Sequence, residues 1–218
     1  MNNILNSIKL DYYIMKSSDF KRIAIIAVIA LFVGVVTKNP PIMLGIIMMI
    51  SAFLMGTIFA VVEKNNLNKL YGILPVKKQE TVIGRYFFAL LAGVIIAVIA
   101  TILTFVVSYI LNVGFGGFTL AVWVCGSFLF FCLLISTQFP LYFKYDFSKL
   151  AAFANIPYIV LIIGGEFLIG KEPQLFGQAI KFFVQNQYMI WVVGIIGSLV
   201  LLSISTFISI ALYKNREL

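Results

Sequence analysis

The sequence predicts an all-α, polytopic membrane protein: six transmembrane helices, an N-terminal amphipathic interfacial helix and both termini cytoplasmic. Three observations carry this. Of 218 residues, 62% are hydrophobic and 11% charged, against about 45–50% and about 25% in soluble domains. A soluble core cannot hide that much apolar surface, so the solvent is lipid. The apolar residues fall in six runs of near-membrane length. The lysines and arginines crowd into alternate gaps between those runs, as expected of cytoplasmic loops.

Taken in order, residues 1–21 form an arm. Ile4, Ile8, Tyr12 and Met15 share one helical face, with Leu5 beside them, while Lys9, Asp11 and Lys16 lie elsewhere. That pattern suits a helix lying in the membrane–water interface. The arm is polar and mixed, without the pattern of a cleavable signal peptide. Span one runs from Phe20 or Ile23 to Thr37. It is short, but Lys21, Arg22 and Lys38 can snorkel at its ends. Asn39-Pro40-Pro41 makes the outer turn, and span two runs from Ile42 to Val62.

The longest polar interruption follows, a cytoplasmic loop over residues 63–85. Leu67, Leu70, Tyr71 and Leu74 fall at i, i+3, i+4 and i+7, which puts them on one face of a short helix. Pro75 ends that helix. Span three begins near Tyr86 and ends near Leu111. Ala89, Gly93 and Ala97 form a ridge of small residues that another helix can approach closely. Span four runs from Phe118 to Phe143, with Gln138 and Pro140 near its inner end. Span five, Leu150 to Ile169, is interrupted by Asn155, Pro157, Gly164, Gly165 and Glu166. Residues 170–187 form the longest outer segment, with Phe176, Ile180, Phe183 and Val184 on one helical face. Span six runs from Tyr188 to Tyr213.

Charge sets the orientation. Thirteen lysines and arginines fall in the arm with the adjoining Arg22, the two inner loops and the tail; Lys38, Lys171 and Lys181 fall outside. This places both termini in the cytoplasm of a multi-pass cell-membrane protein. The net charge of +8 is scattered between spans, which argues against nucleic acid as a partner. Cys125 and Cys132 sit seven apart in an apolar run and are read as core residues.

Several chemistries are excluded. There is no histidine, which removes His-based general bases and metal ligands. No acidic pair lies deep in a span, where ion-coupled transporters need one. Glu166 comes nearest, at the outer third of span five. No GxxxxGK[ST] loop is present, so this chain does not hold ATP in the P-loop manner. No catalytic or metal site and no cofactor is expected within it.

The central stretch resembles the ABC-2 type permease family of ABC transporters. The matching pieces are Glu63, then Leu-Tyr-Gly-Ile-Leu-Pro-Val from Leu70 to Val76. Lys77-Lys78-Gln79-Glu80-Thr81-Val82 and Gly84-Arg85-Tyr86 follow. Pro140-Leu141 with Lys144-Tyr145, and the closing Tyr213 to Leu218, are similar as well. In size and style the chain is similar to the small permease subunits of the staphylococcal phenol-soluble modulin exporter. The resemblance implies that residues 1–218 form one transmembrane domain, paired with a second permease subunit of the same or a different sequence. Separate ATP-binding cassette subunits would hold ATP and Mg. A coupling helix from Asn65 to Leu74 would dock through Leu67, Leu70, Tyr71 and Leu74, with Lys77 and Lys78 steering. Glu63, Arg85, Asp146 and Glu166 are the loop and gate candidates. The cargo class is amphipathic peptide, lipid-like or drug-like. Two alternatives stay open: a non-transporting immunity or assembly protein, which needs no ATPase, and an ion-coupled secondary transporter, which fails when Glu166 is neutralised.

Overall fold

The computed structural model describes residues 8–15, 20–65, 77–114, 116–150, 159–160, 163, 178 and 181–214. After an arm helix at residues 8–15 come α1 (Phe20–Val36), α2 (Ile42–Lys64), α3 (Lys78–Leu111), α4 (Gly117–Lys144), α5 (Phe147–Leu150) and α6 (Gln187–Lys214). No strand occurs among the described residues. Helices are the expected outcome, because lipid offers backbone groups no partner and a helix satisfies its own.

Four of these helices, α2, α3, α4 and α6, are long and apolar enough to cross a membrane. They correspond to spans two, three, four and six. Helix α1 has 17 residues, in keeping with the short span one. Most of span five lies outside the described residues, so four spans, not six, are seen directly. One boundary differs clearly. Helix α3 starts at Lys78, about two turns before Tyr86, so the end of the 63–85 loop is already helical. The Glu80 carboxylate accepts from the Lys77 N–H at 3.2 Å, closing the first turn where a helix favours negative charge.

The turns use left-handed backbone where the chain reverses. Lys38 (φ 50°) precedes Asn39-Pro40, and Asn112 (φ 52°) ends α3. Asparagine tolerates that conformation better than most residues.

The core lies between α2, α3, α4 and α6. Met48, Met55, Ile58, Phe59 and Val62 from α2 meet Phe131, Ile135, Phe139 and Phe143 from α4. Helix packing in lipid relies on close approach, because lipid is as apolar as leucine. At Gly93, on the small-residue ridge of α3, a Cβ would stand 2.4 Å from the Phe131 ring. At Gly194 of α6 it would stand 3.0 Å from Cys125 Cβ. Cys125 and Cys132 are buried and unbridged: they are packing residues, as read from the sequence.

A hydrogen-bond chain joins three helices. Pro140 lies inside α4 and has no N–H, so the Ser136 carbonyl one turn earlier loses its helical partner. Ser205 Oγ of α6 donates to that carbonyl at 2.7 Å. Its proton is thereby used, so the Tyr86 hydroxyl donates to Ser205 Oγ at 2.5 Å. Ser209 in turn donates to Tyr86 at 2.8 Å. The donor order is fixed from Ser209 through Tyr86 and Ser205 to Ser136.

Two outcomes are expected. Ser205→Ala should cost about 0.6 and at most about 1.7 kcal/mol, and distinctly less in a Pro140→Ala background, where residue 140 again donates to Ser136. Equal costs in a double-mutant unfolding cycle would sink this account. Gly93→Leu should cost about 1–3 kcal/mol by overpacking. Gly126→Leu, with nothing within 4 Å, should stay within about 0.5 kcal/mol; thermal midpoints in detergent check both.

Candidate functional site

The C-terminal ends of α2, α4 and α6 and the N-terminal end of α3 gather at one end of the bundle. Contacts fix this. Glu63 near the end of α2 accepts from the Ser148 N–H at 3.1 Å and from the Ser148 hydroxyl. Lys78 Nζ of α3 donates to the Lys214 carbonyl of α6 at 3.4 Å and sits 5.7 Å from the Tyr213 ring centre. Phe143 of α4 meets Tyr213 at 5.3 Å between ring centres. Lysine is favourable there, since the last carbonyls of a helix are electron-rich and unpaired.

Three of the sequence candidates, Glu63, Arg85 and Asp146, line one small pocket at this end, with Phe59, Tyr142 and Phe143. They play different parts. Glu63 ties α2 to α5 through Ser148. Asp146 stands before α5, and its carboxylate lies 3.1 Å from Lys149 Nζ on the surface, a pair worth little because water screens it. Arg85 is 5% exposed. Its guanidinium lies 4.5 Å from the Phe59 ring centre and 5.6 Å from that of Phe143, within reach of a cation–π attraction.

The partner of Arg85 is Asp11 of the arm helix, with Nε 3.6 Å from Oδ1. This corrects the sequence reading of the arm. Asp11, set off the apolar face with Lys9 and Lys16, is 1% exposed. An amphipathic pattern assumes that charge faces water. A buried cation on a distant helix overrides that assumption, because an unpaired charge costs far more than one misplaced polar residue. Ser136, Ser148, Ser205 and Ser209 were missed too. Only Ser136 carried a signal, as the residue four before Pro140.

Lys77 is exposed and Lys78 half-buried. Leu67, Leu70, Tyr71 and Leu74, and Glu166 of span five, lie outside the described residues. No group of three His, Cys, Asp or Glu able to hold a metal ion occurs among the described residues.

Burial pushes the Asp11 carboxyl up to about 6, although the Arg85 charge pulls it down. The folded value exceeds the ordinary 3.8, so folding favours the protonated form. Asp11's contribution to stability is therefore full below about pH 4 and is lost as pH rises through about 6. Hydrogen-exchange protection factors at residues 8–15, taken relative to the intrinsic rate at each pH, should fall over that window and level off above it. Asp11→Asn should remove the trend. Arg85→Gln should move it to higher pH, since the pull of the guanidinium is gone.

No curated protein and no solved structure matches the chain. A family model described as ABC-2 family transporter protein matches residues 7–214. That span takes in the arm helix, the loop after α2 and every helix named above. The chain is a multi-pass membrane protein and belongs to the ABC-2 transporter family.

Proposed function

We propose that this chain is the permease subunit of an ABC exporter, built of six spans with both termini cytoplasmic. It moves an amphipathic peptide, lipid-like or drug-like cargo, using ATP hydrolysed by separate subunits. The chain itself is not an enzyme and holds no cofactor. A second permease subunit completes the pathway. The family membership across residues 7–214 supports the transporter class. The clustering of Lys64, Lys78, Lys144 and Lys214 at helix ends on one side of the bundle supports the orientation.

The observation that carries the mechanism is the anchoring of both feet of the 65–77 loop. Before the loop, Glu63 is fastened to Ser148. After it, Lys78 is fastened to Lys214 and Arg85 to Asp11. A short helix between two anchored helices passes on a push as a rigid-body movement. In this reading Asn65 to Leu74 is the coupling helix. Leu67, Leu70, Tyr71 and Leu74 dock into the ATPase, Lys77 steers, and Lys78 adds charge while holding the loop to α6. Glu166 is retained as a gate candidate in span five. The preference for amphipathic cargo rests on spans built from Phe, Leu, Ile, Ser and Thr, without a deep ionisable pair.

The test is co-purification from native membranes in mild detergent, comparing wild type with Leu70→Asp/Leu74→Asp. An ATP-binding subunit should accompany the wild type and fall at least tenfold in the double variant. An ATPase that stays bound to the variant would place the coupling site elsewhere. Absence of any ATPase from the wild type would favour the non-transporting alternative.

A further inference from the structure

A groove on the flank of the bundle has no part in the reading above. It lies between the arm helix, α2 and α3 and encloses about 540 Å³, within the roughly 300–1,000 Å³ of small-molecule sites. Its walls are apolar, with Leu54 from α2 and Leu91, Ile95, Ile99 and Leu103 from α3. The hydroxyl of Ser51 on the α2 wall is already donated to the Met48 carbonyl at 2.8 Å. The α3 wall runs from Phe88 to Leu103, about 22 Å of helix. One leaflet of hydrocarbon is roughly 15 Å deep, half of a bilayer core. The groove can therefore hold a whole acyl chain laid along α3.

The polar end is supplied by one element. Lys9 and Tyr12 both line the groove, with Ile8 and Met15. Three residues apart on a helix, they are surface neighbours. Both are exposed. Asp11, between them in sequence, is buried against Arg85 and does not neutralise Lys9. Lys9 and Tyr12 thus border the apolar trough from the same stretch of the arm helix. Lysine is a phosphate ligand as a point charge, and anionic lipid is drawn to basic segments at the cytoplasmic surface.

We infer that this groove binds an anionic phospholipid, its phosphate held by Lys9 and Tyr12 and one acyl chain lying along α3. Only the assignment to the cytoplasmic leaflet rests on the proposed orientation. The full chain, purified in mild detergent, is offered phosphatidylglycerol and phosphatidylcholine of equal chain length, and retained lipid is read by native mass spectrometry. Wild type should hold phosphatidylglycerol at least tenfold better. Lys9→Glu should abolish the preference, and Tyr12→Phe should weaken it a few-fold. Both side chains are exposed, so these variants should elute and melt like wild type. Ala92→Trp, which fills the groove wall, should reduce retention of both lipids. Equal retention of the two lipids by wild type would overturn the inference, as would a preference untouched by Lys9→Glu. So would a lipid-free two-chain species, which would give the groove to a second copy. The readout needs no ATPase, so its failure and that of the exporter reading are separable.

Discussion

A guanidinium out of reach of water must be neutralised by its surroundings, and Arg85 imposes that condition on most of the end of the bundle where Glu63, Lys78 and Tyr213 meet. Its charge is met by Asp11 and by the faces of Phe59 and Phe143. Each partner comes from a different element: the arm helix, α2 and α4. Those aromatics are themselves packed edge to face, Phe59 against Phe139 and Phe143 at 5.1 and 5.0 Å. Phe143 leads on to Tyr213 of α6. A buried ion pair adds little net stability over a well-packed apolar substitute, but breaking one side of it is expensive. Arg85 is best understood as specifying where five elements meet.

Away from that end, lipid acts as the solvent. Hydroxyls within the spans mostly return to their own helix. Thr101 and Thr104 donate to the carbonyls of Ala97 and Ala100 at 2.7 and 2.8 Å, and Thr57 donates to Leu54 at 2.6 Å. Thr101 and Thr104 of α3 are thus satisfied within their own helix and do not read as a lined path for polar cargo. Between helices, the chain from Ser209 to Ser136 shows a proline creating an acceptor and a neighbouring helix filling it. Such cross-helix bonds are individually modest. Close shape fit, as at Gly93 and Gly194, adds to the helix packing.

This division explains what the sequence showed. Span positions were legible because transfer to lipid acts on each stretch independently of the rest. Helices α2, α4 and α6 accordingly begin and end within two residues of the expected bounds. The start of α3 was not. Residues Lys78 to Arg85 are polar enough to look like loop, yet they are helical because Glu80 caps them and Arg85 and Tyr86 are held from the side. The environment of Asp11 was illegible for a related reason: it depends on a residue on another helix. The assembly of Glu63, Arg85 and Asp146 at one end followed from topology, whereas their separate partners did not.

The arrangement has a mechanical consequence. Helix α2 is the most buried of the four long spans, while α3 and α6 present much of their surface outward. Glu63 sits on the buried helix and Arg85 on the outward one, so a force on the loop between them divides. One part enters the core through α2 and must move α4 with it, because Phe59 is locked among the α4 aromatics. The other enters α3, whose 34 residues extend about 51 Å, and reaches α6 through Tyr86 and the serines. Since close-packed helices rearrange between discrete arrangements more readily than they deform, the two parts move the bundle as one body. A loop attached to only one helix would bend that helix and leave the remaining spans where they were.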